Sequence, residues 1–225
     1  MKKFILAAIV SLTAVTVSAQ EFPMGEKQAH PQTISFSTGT QGIGLEYKYS
    51  VTNAWGLRVG GNVLPINAKN IMQLSGFHAN SSMSGKFANA HLMADITPIK
   101  SISFLRVVAG GGYFIQGDSH ITVNPTDTYK YGDIVLTGDQ VGNLKLNMDW
   151  KGFAPYMGFG LAHAFPKNKF NINLDLGTYY LSRPEANIDA TGMLSGNATQ
   201  SGQFQKNVSS YRWYPQVALN FNFKL

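Results

Sequence analysis

The sequence contains no cysteine in its 225 residues. This absence excludes disulfide bridges, thiolate metal sites and a lipid-anchored cysteine after a leader. Long apolar runs are also missing. No segment beyond residue 20 contains the ~18 consecutive apolar residues that would indicate a membrane-spanning helix. Good helix signals are scarce throughout, so the fold must be built from shorter, alternating segments.

Strong charge of one sign is absent as well. The chain has 18 Lys and Arg against 12 Asp and Glu, a formal net charge of +6, and the basic residues are scattered. This mild bias does not indicate a nucleic-acid partner. The mean hydropathy of −0.07 fits a water-soluble protein. It fits equally a membrane barrel, in which only alternate residues meet lipid.

The first residues are typical of an export signal. Lys2 and Lys3 precede a short apolar run at 4–15, and Val17-Ser18-Ala19 fits the small-residue cleavage pattern. We therefore predict a signal peptide at 1–19, a polar N-terminal lead at 20–32 and one domain at 33–225.

Alternating stretches recur along the remaining chain, separated by Gly, Asn, Pro and Ser clusters. They lie at 33–37, 43–51, 55–63, 87–96, 105–115, 153–165, 170–180 and 211–225. The connections alternate between tight and long, as in membrane barrels with short periplasmic turns and longer external loops. The pattern predicts an all-β, closed, antiparallel up-and-down transmembrane barrel of about eight strands. Weaker alternation at 133–136, 144–148 and 186–194 predicts strand extensions beyond the membrane, or else a ten-stranded barrel.

Alternation alone does not say which face is wet, and a soluble ligand-binding barrel would place the apolar face inside. Charges of both signs on the minor face, aromatic residues near both strand ends, and a final strand available to pair with the first favour the membrane. The predicted interior polar network consists of Glu46, Lys48, Arg58, His91, Asp95, Arg106, Asp175 and Arg212. The predicted lipid-facing residues of the C-terminal strand are Val217, Leu219, Phe221, Phe223 and Leu225.

These features resemble the small bacterial outer-membrane β-barrels of the outer membrane protein A transmembrane-domain and outer membrane protein X kind, over nearly all of 33–225. In that family the last strand carries a signal read by the barrel-assembly machinery and commonly ends on an aromatic residue. Here Leu225 is last and Phe223 lies two positions before it. The resemblance implies an outer-membrane location, periplasmic termini, and outer-membrane lipid and the assembly machinery as partners.

Candidate chemistry is sparse. The general-base candidates are His30, His78, His91, His120 and His163. His78 and His120 fall in external loops with Ser75, Ser119 and Asp118, which keeps a lipid A-modifying enzyme open as an alternative. Solvated loop histidines are favoured over this alternative. The glycines at 158–160 and 110–112 are interpreted as relieving crowding inside the barrel.

We predict no catalytic, cofactor or metal site. The expected function is a structural or surface-interaction role through extracellular loops, with an unknown external partner. A small pore or hydrophobic-compound channel is the other alternative.

Overall fold

The computed structural model describes residues 31–52, 54–71, 79–98, 104–165 and 169–225. The predicted signal peptide lies outside these residues, as does the lead up to residue 30. The elements are β1 (Gln32–Gly39), β2 (Gly42–Ser50), β3 (Trp55–Lys69), β4 (Ala79–Ile96), β5 (Leu105–Pro125), β6 (Tyr129–Tyr131), β7 (Ile134–Leu136), α1 (Gly138–Val141), β8 (Leu144–Asp149), β9 (Gly152–Phe165), β10 (Phe170–Tyr180), β11 (Glu185–Ala190), a 3-10 helix (Gly192–Gln200), α2 (Ser201–Val208) and β12 (Trp213–Lys224).

Eight strands close into an antiparallel ring in the order β1, β2, β3, β4, β5, β9, β10, β12. The ring closes where β12 pairs with β1, from Thr33 opposite Lys224 to Gly39 opposite Ala218. Closure satisfies the backbone groups of both edges, which a bilayer requires. The predicted closed barrel is confirmed, and the structure decides for eight strands in the ring rather than ten.

The two faces of the ring differ sharply in polarity. Outward side chains are apolar and exposed, such as Leu45, Val59 and Phe159, while the inward Glu46 and Arg58 are buried. A continuous apolar belt of this kind would be unfavourable in water, since soluble monomers rarely expose large apolar patches. The soluble ligand-binding barrel, with its apolar face inside, is therefore the wrong alternative.

The ends of β2, β4, β9 and β12 and the starts of β1, β3, β5 and β10 lie at one end of the barrel, here called the turn end. At the opposite loop end, β3, β4 and β5 continue above the ring. Residues 118–123 of β5 pair with β8, and β8 pairs with β11. We call this extension, formed by 64–69, 79–87, 117–125, β8 and β11, the raised sheet.

The outward face changes character where the raised sheet begins. On β4, Leu92, Ala90 and Ala88 are followed on the same face by Lys86 and then Ser84. Polar side chains replace apolar ones at the level where lipid would give way to water. A bulge in β5, whose extra residue Ile115 lies opposite the step from Ala88 to Asn89, shifts the register at this same level.

The expected strand extensions are only partly present. The segments 133–136 and 144–148 fall in β7 and β8, whereas the one at 186–194 ends as a strand at Ala190 and turns into the 3-10 helix at Gly192. Gly192 has φ +58°, a conformation that favours glycine and interrupts a strand. α2 then returns against the outer edge of β11. Within the described ranges, no helix is long and apolar enough to cross a membrane.

Candidate functional site

The half of the interior nearer the turn end holds a network of ionisable side chains. Seven of the eight residues expected to form it meet there: Glu46 and Lys48 from β2, Arg58 from β3, His91 and Asp95 from β4, Arg106 from β5 and Asp175 from β10. They converge because each occupies an inward position of a strand, and a ring of eight strands leaves room inside for little but side chains.

Arg58 lies at the centre of this network. Its Nη1 donates to Glu46 at 3.0 Å and to Asp175 at 2.8 Å, and its Nε lies 3.0 Å from Asp95 Oδ1. The Nε contact is within ion-pair distance although it lacks good hydrogen-bond geometry. The Arg58 side chain is only 5% exposed, so three carboxylates surround one guanidinium out of contact with bulk water.

Arg106 supplies a second bridge between the same carboxylates. It donates to Asp95 at 2.8 Å and to Asp175 at 2.5 Å, while Lys48 donates to Asp95 at 2.7 Å. His91 Nε2 lies 3.2 Å from Glu46. Leaving the histidine aside, three cations balance three carboxylates.

This balance is what makes the buried charges tolerable. Moving one carboxylate or guanidinium out of water costs several kcal/mol, and only close, well-oriented opposite charges offset that cost. Asn220 adds a further hydrogen bond to Asp175 at 2.9 Å. The network is therefore a self-compensating ionic filling of the barrel.

Small residues make room for this filling. A Cβ at Gly160 would lie 2.2 Å from Arg106 Nε and 2.6 Å from Asp175 Oδ1, so no larger residue fits without moving the network. Gly158 likewise lies under the Tyr156 hydroxyl. The expectation of relieved crowding is met at these inward positions. Gly111 differs, because it faces outward and the ring of Phe153 covers it.

The half of the interior nearer the loop end is filled by an aromatic cluster. Its rings belong to Phe87, Phe114, Trp150, Tyr156, Tyr179 and Tyr214. Phe87 stacks on Tyr214 at 5.4 Å between ring centroids, and Phe114 meets Tyr179 edge-on at the same distance. Tyr179 is 0% exposed. Such ring pairs are favourable beyond their buried area and hold the rings in fixed positions.

Two cavities flank this filled interior. The cavity at the turn end, about 280 Å³, has a polar lining that includes Lys48, Asp95 and Arg106. The cavity at the loop end, about 360 Å³, is lined mainly by aromatic and apolar residues, including Trp150, Leu181 and Trp213. The ion network borders the turn-end cavity through Lys48, Asp95 and Arg106. The aromatic cluster borders the loop-end cavity, which also opens to the outer face at Trp213.

Arg212, the eighth residue expected in the interior network, lies elsewhere. Its guanidinium carbon is 4.1 Å from the centroid of the Tyr180 ring, and its Nε donates to the Leu181 carbonyl at 2.9 Å. Tyr180 is on the outward face of β10 and contacts the exposed Trp213. β12 begins one residue after Arg212, so the strand alternation that predicted an inward side chain does not apply to it.

The C-terminal strand residues expected to face lipid all lie on the outward face. Val217, Leu219, Phe223 and Leu225 are exposed and Phe221 is half-buried. The intervening Ala218, Asn220 and Asn222 are buried inside. The Phe221 ring is flanked by Phe36 of β1 and Phe170 of β10 at about 6.4 and 6.5 Å, which explains its smaller exposure.

Among the described candidates, His120 Nε2 lies 3.6 Å from Asp118 Oδ2, but the candidate nucleophile Ser119 does not point toward it. His30, His78 and Ser75 lie outside the described residues, as does the side chain of His163. Ser119 is buried on one face of β5, whereas His120 points to the other face and contacts Asn147 at 2.8 Å. Adjacent strand residues cannot share a proton in this arrangement. His120 instead joins Asn147 and Asp189 in a polar chain across the raised sheet.

Sequence reasoning did not identify the aromatic cluster. Strand alternation alone puts Phe114 and Tyr179 on the inward face, but Trp150 lies between strands, where alternation gives no orientation. The cluster forms because five strands and a connecting segment bring rings to one level. No spacing within a single segment signals such a meeting.

Comparison with known proteins identifies the fold. No family model matches the chain, and no curated protein matches it either. The crystal structures of Acinetobacter baumannii CarO and CarO2 align at TM-scores of 0.62 and 0.63. Each is 22% identical, and the alignments cover 89% and 88% of this chain and 100% of theirs. A major outer membrane protein from Thermus thermophilus, at a TM-score of 0.45 and 13% identity, is too distant to support a conclusion. The chain thus has the outer-membrane β-barrel fold seen in CarO.

Proposed function

We propose that this protein is a bacterial outer-membrane barrel of the small outer membrane protein A transmembrane-domain and outer membrane protein X kind. Its interior does not conduct, and its role is structural or surface interaction through the loop end. The apolar belt matches a bilayer, and the raised sheet provides a firm platform above it. In this placement both termini and the tight turns are periplasmic.

One observation carries the proposal: the interior is filled along its length. The neutral ion network and the aromatic cluster succeed each other along the interior. The side chains at most 5% exposed are Arg58, Arg106 and Asp175 in the network and Phe114, Tyr156 and Tyr179 in the cluster. A solute crossing the barrel would have to break several charge-assisted hydrogen bonds and displace stacked rings. Such a barrel offers surfaces at its ends rather than a route through its centre.

Planar-bilayer recording tests the closed interior. We expect no steady single-channel conductance from the refolded protein. The double variant Tyr156→Ala and Tyr179→Ala, which removes two rings of the cluster, serves as the widened control. Steady conductance from the unaltered protein would contradict the proposal.

Cysteine labelling tests the orientation, and the chain suits it because it has no native cysteine. Asp133 lies exposed in the turn between β6 and β7, and Lys169 lies exposed at the turn end. We expect Asp133→Cys to react with an impermeant maleimide on intact cells. Lys169→Cys should react only after the outer membrane is permeabilised. The reverse result would overturn the proposed placement.

The loop-end cavity favours a second candidate function, binding of a small hydrophobic compound. Its volume of about 360 Å³ and aromatic lining suit an apolar molecule. Because Trp150 and Trp213 line it, a bound apolar dye such as 1-N-phenylnaphthylamine should quench their emission. Unchanged emission in a Trp55→Phe background, across the soluble range of the dye, would exclude this function.

A further inference from the structure

Arg212 lies at the loop-end rim of the barrel, outside the interior ion network. Arg212 stacks on the outward ring of Tyr180 and donates through Nε to the Leu181 carbonyl. A cation over an aromatic ring and one hydrogen bond together hold the guanidinium plane in place. Its two terminal amino groups have no acidic or hydrogen-bonding partner within the described part of the chain.

Two further cations lie on the segments next to Arg212. Lys151 precedes β9 and Arg183 follows β10, and both are exposed. Ser182 donates to the Lys151 carbonyl at 2.8 Å, and the Leu181 amide donates to the Arg212 carbonyl at 2.7 Å, so the three segments are adjacent. The acids nearest in sequence to Lys151 and Arg183 are Asp149 and Glu185, which lie opposite each other in register on the raised sheet.

The side chains next to Arg212 are of the kind found at the boundary between lipid and water. Trp213 is 68% exposed on the outward face and packs on Tyr180 at 4.8 Å between centroids. Below it, Val217 and Leu219 continue the apolar belt. Exposed Trp and Tyr rings prefer the interface, with headgroups on one side and acyl chains on the other. The Arg212 guanidinium therefore lies at headgroup height if the barrel spans the outer membrane.

We propose that Arg212, held by Tyr180 and Leu181, binds a phosphate group of an outer-leaflet glycolipid, with the acyl chains of that lipid along Trp213 and the belt below. A guanidinium presents parallel N–H donors that match two phosphate oxygens, and a preorganised one loses little freedom on binding. Lys151 and Arg183 add attraction for the same anion. This inference rests on the proposed outer-membrane placement.

The test uses the full-length mature chain, refolded in detergent micelles, and measures lipid binding by native mass spectrometry. The probes are bisphosphorylated lipid A and the same lipid with both phosphates removed. We expect the phosphorylated form to bind about 10-fold more tightly, the size expected for hydrogen bonds to a charged group. Arg212→Ala should remove about that factor, and Arg212→Lys, which keeps charge but not the planar fork, should lose part of it.

Lys86→Ala is the matched control, since Lys86 is an exposed cation on the raised sheet. It should change the affinity less than about 2-fold. The proposal is overturned if Lys86→Ala weakens binding as much as Arg212→Ala, which would indicate general surface attraction. It is also overturned if folded Arg212→Ala binds both lipids like the unaltered protein.

Inorganic phosphate is the third probe. If it displaces lipid A at equal concentration, the site takes free phosphate and the lipid part of the inference is wrong. Folding of each variant is checked by its heat-modifiable migration on gels, and Arg212→Lys remains informative if Arg212→Ala does not fold. Membrane fractionation of the unaltered protein tests the outer-membrane placement separately, so failure of the lipid site and failure of the proposed function give different results.

Discussion

Neutralising Asp175 should strongly destabilise the barrel, because this carboxylate lies at the centre of the buried ion network. Asp175 accepts hydrogen bonds from Arg58, Arg106 and Asn220 and is 2% exposed. In Asp175→Asn the shape is nearly kept, but the network changes from neutral to one excess positive charge. The two guanidinium groups then remain buried with one carboxylate fewer between them.

The magnitude follows from the cost of an uncompensated buried charge. Removing one partner of a buried pair typically costs about 3–5 kcal/mol, and we expect Asp175→Asn to fall in that range. Arg106→Gln should cost a similar amount with the opposite excess charge. The double variant restores neutrality, because Glu46 and Asp95 then face Arg58 and Lys48. Its cost should be roughly 2–3 kcal/mol below the sum of the single costs.

The assay is reversible urea unfolding in lipid vesicles, followed by tryptophan emission. Asp133→Asn, which neutralises an exposed acid in the β6–β7 turn, is the control and should change the free energy of unfolding by less than about 0.5 kcal/mol. Additivity of the two interior variants within about 0.5 kcal/mol would refute the idea of one coupled, charge-balanced network. So would a cost for Asp175→Asn below about 1 kcal/mol.

Three further predictions concern other parts of the molecule. Gly160→Ala places a Cβ against Arg106 and Asp175 and should lower the free energy of unfolding by about 1–3 kcal/mol. Gly196→Ala is the control, since a Cβ there meets nothing within 4 Å, and it should leave the free energy nearly unchanged. Equal effects of the two variants would contradict a tightly packed interior. Leu219→Arg puts a charge on the lipid face and should lower the free energy of unfolding in vesicles by about 2–4 kcal/mol. Leu219→Phe, which keeps the face apolar, should change it little. If the arginine variant is as stable as the unaltered protein, this face does not contact lipid. Gln205→Ala removes the side chain that accepts from the Ala186 amide and donates to the Pro184 carbonyl. Hydrogen exchange at the Ala186 amide should therefore become faster. Gln203→Ala, which loses a hydrogen bond to Asn207, is the control and should leave that exchange rate unchanged.

Much of the barrel could be predicted from local pattern. A side-chain period of two is a property of each strand by itself, so Leu219 and Asn220 could be assigned to opposite faces without knowing any partner strand. The alternation of tight and long connections likewise indicated which strand ends lie together. These features survive in the structure because they depend on neighbours along the chain.

The strand extensions show where this reasoning stops. The pattern at 186–194 is the same kind of signal as in the barrel strands, yet the chain leaves the sheet at Ala190. There α2 covers the edge of β11, with Gln205 and Ser201 accepting from the Ala186 and Ile188 amides. Covering that edge protects it from pairing with other chains. A helix placed by such long-range bonds has no signature in strand periodicity.

The sequence by itself determined the alternating strands and the division of each strand into a polar and an apolar face. It also determined that the polar faces carry charges of both signs. Each of these features depends only on the order of nearby residues. Only the tertiary structure decided which charges meet. Arg58 and Asp175 are 117 positions apart, and closure of the ring brings them to one level. The same closure assembled the aromatic cluster and left Arg212 outside the barrel, because β12 begins just after it. Pairing across a barrel depends on register and shear among all eight strands, and no single segment of the chain contains that information.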